Sequence, residues 1–276
     1  DFHSGADPHG QHSLLQELLD HIESKAQAGF VPDLIFVTGD IANRGLAEEY
    51  EIFASSFLVE LPRRLGDGWT GKIFSVPGNH DVDRRQMALV DTHAAIRAEP
   101  RLFDPTDEGV HLRTGLLPRF QAYDDNDISH APRGWLASRD GCFVHRGSVH
   151  GSRLAIIGIN TAWLSKNEHD RHRLSPGVPL LEAALRSCGD DHLRIVLGHH
   201  PIDWFEDRTA QQVRSMFGKH GVVYLHGHLH RPLLEGGGRD GLRERRAGRR
   251  PHGGDRRVEG GPDRLDLRPR RRVQAV

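Results

Sequence analysis

Five short polar clusters carry the residue types that hold metal ions: Asp1-Phe2-His3, Gly39-Asp40, Gly78-Asn79-His80-Asp81, Gly198-His199-His200 and Gly227-His228-Leu229-His230. Asp, Asn and His together supply mixed oxygen and imidazole donors, a set that suits Mn, Fe, Zn or Co better than Mg or Ca. Two such ions held roughly 3.5 to 4 Å apart can clamp a phosphoryl group and activate a bridging water for in-line displacement. A glycine ahead of the donors lets the backbone turn sharply without a Cβ clash. With 20 histidines in the chain a His-x-His pair arises by chance, and Gly-Asp is a common turn dipeptide. The weight therefore lies in the order of the clusters and in where each one falls.

Each falls directly after an apolar, strand-like run. LIFVT (34–38) leads into Gly39-Asp40, KIFSV (72–76) into Pro77-Gly78-Asn79-His80-Asp81, LRIVL (193–197) into Gly198-His199-His200-Pro201, and VVYL (222–225) into His226-Gly227-His228-Leu229-His230. LAIIGI (154–159) is a further candidate strand. The runs are apolar on both faces, as in a sheet covered on both sides. They alternate with helical patterns at Ser13 to Ala28, Ala47 to Leu65 and Val178 to Ser187, which predicts an α/β fold. Ligand sites in such sheets gather at the carboxyl ends of strands, so four endings converge on one place. Asp1-Phe2-His3 is a fifth ending if its strand lies upstream of the sequence.

The length predicts one catalytic domain over 1–235, with the polar, Pro- and Gly-punctuated stretch 83–152 as a cap insertion. Residues 236–276 hold 13 Arg against 6 acidic residues and scarcely an apolar pair, and are expected as a disordered Arg/Gly-rich tail. The rest of the chain carries 24 basic against 32 acidic residues. No apolar run approaches the roughly 20 residues that span a bilayer. The two cysteines, Cys142 and Cys188, form no paired framework, as expected of a reducing compartment, and the expected location is cytoplasmic. The start at Asp1 without Met is expected of a fragment or processed product.

The motifs D-x-H, G-D, G-N-H-D, G-H-H and G-H-x-H, in this order, resemble the calcineurin-like metallophosphoesterase superfamily. GDIANRGLAEEY (39–50) and VPGNHDVDR (76–84) resemble its bacterial class III cyclic-nucleotide phosphodiesterase branch. The resemblance covers Asp1 to about Leu234. It implies a four-layer α-β-β-α sandwich with two mixed sheets, here truncated at both ends, and a site at one end of the sandwich. It also implies two divalent transition-metal ions, Mn, Fe or Zn. One would be held by Asp1, His3, Asp40 and His230, the other by Asp40, Asn79, His199 and His228, with Asp40 bridging. His199 is preferred over His200 because the family's ligand stands two residues before a proline, here Pro201. His80 matches the family's uncoordinated histidine beside the scissile bond. The phosphoprotein phosphatase branch carries G-D-x-x-D-R-G and G-N-H-E, whereas this chain has Asn43 before Arg44-Gly45 and ends its motif in Asp81.

The activity implied is metal-dependent hydrolysis of phosphoesters, either phosphodiesters, cyclic nucleotides first, or phosphomonoesters. The alternatives are a two-metal nuclease, its basic tail holding a phosphate backbone, and an inactive regulatory or nucleic-acid-binding module that retains the fold. The partner expected is a small phosphoester, with nucleic acid through the tail and no membrane. Arg44 is either a phosphate contact or an exposed turn arginine. His200 and His226 are either groups orienting a ligand or ordinary buried histidines.

Overall fold

The strand-like runs pair into two sheets. After the first helix α1 (Pro8–Gln27), β1 (Leu34–Val37) lies parallel to β2 (Lys72–Ser75), with Leu34 opposite Lys72 and Val37 opposite Ser75. The second sheet has the order β3 (Cys142–Val149), β4 (Ser152–Ile159), β5 (Leu193–Leu197), β6 (Val222–Leu225). Its β3–β4 pair is antiparallel and its β4–β5 and β5–β6 pairs are parallel, so the sheet is mixed. The computed structural model describes residues 2–3, 8–66, 68–89, 100–126, 129–167, 169–189 and 192–229. All lie within the unit Asp1–His230, and the stretch 236–276 expected as a tail lies outside the described residues.

Both sheets are packed against helices, and the reasons are visible in the sequence. Leu15, Leu19 and Ile22 of α1 recur at helical spacing and are buried. The pattern over Ala47 to Leu65 forms α2 (Ala47–Phe53), a π turn (Ala54–Leu58) and α3 (Glu60–Leu65) in succession. Its Phe53 and Phe57 stack at 5.3 Å between centroids, and Phe2 packs on Phe53 at 4.8 Å. The two sheets meet through β2 and β3, where Phe74 and Phe143 stack at 6.0 Å. Beneath Phe143 lies Gly158 of β4, where a Cβ would come within 2.0 Å of the ring.

The stretch 83–152 contributes directly to this core. It holds α4 (Asp107–Arg113), α5 (Gln121–Asn126) and β3 itself, and its Leu102, Phe103, Leu116, Phe120, Trp135 and Phe143 are buried with the rest. β3 was not among the strands expected, because only Cys142 and Phe143 at its start are buried and the apolar run ends at Val144. Its outer half, Arg146-Gly147-Ser148, is exposed, as suits a strand at a sheet edge. α6 (Val178–Ser187) falls where expected. α7 (Asp207–His220) was also missed, since only Ala210, Val213 and Phe217 form its buried stripe. Cys142 and Cys188 are buried and unpaired, and burial pushes the Cys142 thiol up to about 12. Among the described residues no helix is long and apolar enough to cross a membrane.

Candidate metal centre

Parallel pairing sends the chain off the same edge of each sheet. Val37 and Ser75 are register partners, so Gly39-Asp40 and Gly78-Asn79-His80-Asp81 leave side by side. Leu197 and Leu225 are likewise partners, which brings His199 and His228 together. The two edges are then tied by a hydrogen bond of 2.8 Å between His199 Nδ1 and the Thr38 carbonyl. Close approach explains the glycines. A Cβ on Gly78 would fall 2.2 Å from Asp40 Oδ1, and one on Gly39, which has φ 93°, would fall 2.7 Å from the Gly78 nitrogen.

The Thr38 carbonyl can only accept, so His199 Nδ1 carries the proton and a neutral imidazole presents a bare lone pair at Nε2. That atom lies 2.9 Å from Asn79 Oδ1, 3.1 Å from His228 Nδ1 and 3.2 Å from Asp40 Oδ2. His228 Nδ1 is in turn 3.0 Å from Asn79 Oδ1. A carboxylate oxygen, an amide oxygen and two imidazole nitrogens thus converge within 3.2 Å of His199 Nε2 or on it, an arrangement that a shared cation would satisfy. The donor set, one carboxylate, one amide oxygen and two imidazoles, fits a divalent transition metal.

A second group abuts the first. His3 Nε2 is 3.9 Å from Asp40 Oδ2, and His3, Asp40 and His80 each place a ligand atom within 4.8 Å of the others. The Asp40 carbonyl accepts the backbone N–H groups of both Phe2 and His3, which fixes this segment beside the β1 end. Asp40 is buried, which pushes its carboxyl up. The positive charge of the His199 ring when it is protonated, its hydrogen bond to the carboxylate in that form, and the hydrogen bond from the His80 N–H outweigh burial and hold the carboxyl well below the usual range. His3, Asp40 and His228 all take left-handed backbone, with φ of 49°, 54° and 71°. Such strain in residues other than glycine persists where the surroundings over-determine it and clusters at working sites. Asp1 and His230, expected to complete this group, lie outside the described residues.

The description "calcineurin-like phosphoesterase" matches residues 6–232. The chain belongs to the calcineurin-like phosphoesterase family. A comparison with curated proteins finds no match. The family match takes in every described donor of the site except His3, which stands just ahead of it and joins the site through the Asp40 carbonyl.

His80 lines a cavity of about 310 Å³ together with Asn79, Arg84, Asp170, Trp204 and His228. Its Nδ1–H donates to the Asn43 backbone carbonyl at 2.8 Å, which leaves Nε2 for other partners. The side chain at position 43 is not needed for this bond, so the Asn found where phosphatases carry Asp leaves it intact. Arg44 is an exposed turn arginine, with its backbone N–H and its Nε on the Glu49 carboxylate at 2.8 and 3.4 Å. His226 Nδ1 lies 3.1 Å from the Gly227 carbonyl and belongs to neither donor group.

Two supporting residues escape a search for ligand types. Asp81, fully buried, accepts from Gly78 N, Ala42 N, Ile41 N and the Tyr50 hydroxyl, and so welds the two loops that carry Asp40 and Asn79. Burial and the nearby Asp40 carboxylate push Asp81 up to about 6. Thr161, two residues past the end of β4, accepts the backbone N–H groups of His199 and His200 at 3.1 and 3.0 Å. Thr161 acts through backbone amides remote in sequence, and Asp81 ties Gly78 of its own motif to Ile41, Ala42 and Tyr50, 40, 39 and 31 residues away, links that leave no spacing signal. The strand-end positions of Thr161 and of the cluster that ends in Asp81 were the available hints.

Proposed function

We propose that this chain is a phosphoester hydrolase that works with two divalent transition-metal ions, and that its substrates are phosphodiesters, cyclic nucleotides first. The family supports metal-dependent phosphoester hydrolysis in general. The observation that carries the reading is the meeting of four potential ligand atoms from Asp40, Asn79, His199 and His228 beside the His3 group. Those four side chains would hold one ion. Asp40 with His3, joined by Asp1 and His230, would hold the other. Bound there, such ions supply a nucleophilic water at neutral pH and neutralise charge on the phosphoryl oxygens.

The chain's own groups do the rest. Asp40 Oδ2 lies 3.2 Å from His199 Nε2 and 3.9 Å from His3 Nε2, so this carboxylate would be shared by both ions, while Oδ1 accepts the His80 N–H. His80, anchored through Nδ1, turns its Nε2 edge to the substrate. Protonated, that edge donates to the leaving-group oxygen as it gains charge. The cyclic-nucleotide preference rests on the 39–50 and 76–84 stretches and on the cavity. Its volume lies at the lower end of the ~300–1,000 Å³ usual for small-molecule pockets, and Trp204 offers an aromatic wall for a base.

The test is a panel of bis(p-nitrophenyl) phosphate, p-nitrophenyl phosphate and 3′,5′-cyclic nucleotides, with and without added Mn and after chelation. Turnover of the diesters that disappears with the chelator and returns with Mn is the expected result. A protein inert to the whole panel with Mn present contradicts the hydrolase reading. Turnover of the monoester alone contradicts the diester preference.

A further inference from the structure

His200 follows the proposed ligand His199 and lines the same cavity, but its hydrogen bonds give it a different chemistry. The Thr161 hydroxyl accepts two backbone N–H groups, those of His199 and His200, which occupies both its lone pairs. Its one proton therefore goes to the third neighbour, His200 Nδ1, at 2.9 Å. An Nδ1 that accepts leaves the proton of a neutral imidazole on Nε2. That nitrogen is buried and has no partner among the described residues, although the His200 ring packs 4.8 Å from His228 and 5.8 Å from Trp204. A buried N–H without an acceptor is costly, and its persistence beside a polar cavity points to a ligand that satisfies it. A protonated Nε2 also cannot ligate a metal, so His200 is not a spare copy of His199.

We propose that His200 Nε2–H is a hydrogen-bond donor to a phosphoryl oxygen in the cavity, which makes His200 a further catalytic residue beside the metal centre. The inference rests on the phosphoester reading for the chemistry of the acceptor, but the tautomer and the unsatisfied donor stand without it. Thr161 is the positioning residue, since it fixes which nitrogen of His200 carries the proton. The donor is neutral, and so it orients and stabilises a phosphoryl oxygen without moving a proton.

Two measurements on the full chain test this. Long-range ¹H–¹⁵N correlation of the histidine-labelled protein, with His200 assigned by its disappearance in His200→Gln, is expected to show a bare Nδ1 and a protonated Nε2 at pH 7. The opposite tautomer, or a doubly protonated ring, overturns the proposal. Calorimetric titration of the Mn-loaded protein with inorganic phosphate is the second. His200→Phe, which keeps ring bulk but has no N–H, is expected to retain its metal and lose about 10- to 100-fold in phosphate affinity, the usual range for a hydrogen bond to a charged acceptor. His200→Gln, whose amide can donate, should recover part of that loss. Unchanged phosphate affinity in a metal-replete His200→Phe overturns the proposal, as does a wild type that binds Mn but no phosphate. If His200→Phe unfolds, the Gln variant and the wild-type tautomer still decide. Phosphate binding that depends on His200 in a protein inert to every ester would sink the hydrolase reading and leave His200 standing as a phosphoryl-oxygen donor. Normal hydrolysis by His200→Phe does the reverse.

Discussion

Asp40 and His80 stand within hydrogen-bonding distance, with the His80 N–H on Asp40 Oδ1 at 2.9 Å, yet they are assigned different work. Asp40→Asn keeps the shape but removes the shared anion, and it is expected to lower metal content and turnover together. His80→Ala touches no proposed ligand bond, and it is expected to keep both ions while turnover falls roughly 10²- to 10⁴-fold. Metal analysis alongside steady-state kinetics separates the two. Loss of metal from His80→Ala, or unchanged turnover, removes His80 from the chemistry. At this scale the residues that the sequence offered as ligands meet in the fold, while the links made by Asp81 and Thr161 were not legible. Gly-Asp, Gly-Asn-His-Asp and the two His clusters are local words that stand at strand ends. The roles of Asp81 and Thr161 depend on backbone amides up to about forty residues away, which only the folded chain brings near.

The elements that matter most are the strand ends, and they work because two glycines have no side chain. Gly78 packs its Cα against Asp40, so Gly78→Ala must push either the Asp40 carboxylate or the loop out of place. A forced shift of this kind costs about 1–3 kcal/mol. It is expected to lower both the unfolding temperature and metal affinity, and calorimetry with a Mn titration reads both. Full metal affinity in a stable Gly78→Ala protein contradicts the close approach. All five expected strands form; β2, β4 and β5 are largely buried, while β1 and β6 are mostly half-buried and form from the same short apolar runs. β3 and α7 were not legible. β3 is an edge strand whose solvated half breaks the apolar run, and α7 buries only three side chains along fourteen residues.

At the scale of the molecule, the site depends on two sheets being held together. Phe143 joins them: it is 2% exposed, stacks on Phe74, meets Trp135 at 5.3 Å and covers Gly158. Phe143→Ala is expected to cost about 3–5 kcal/mol of the roughly 5–15 kcal/mol that hold a domain. Phe30→Ala, at a side chain 71% exposed, should change stability by less than about 0.5 kcal/mol. Urea unfolding of the metal-free proteins measures both, and equal losses would mean that Phe143 does not bridge the sheets. The α/β class and the converging strand ends were legible because they follow from period and register. The packing of 100–137 into the core was not, since most of its apolar residues sit in short helical turns with no sustained period.

The central claim is that two ions share Asp40, and anomalous diffraction from crystals grown with Mn tests it most directly. Two peaks are predicted, roughly 3.5 to 4 Å apart. One should be ligated by Asp40, Asn79, His199 and His228, and the other should lie on the His3 side of Asp40. A fully Mn-saturated crystal with no peak at Asp40, or with a single ion that leaves Asn79 and His199 unligated, would contradict the account.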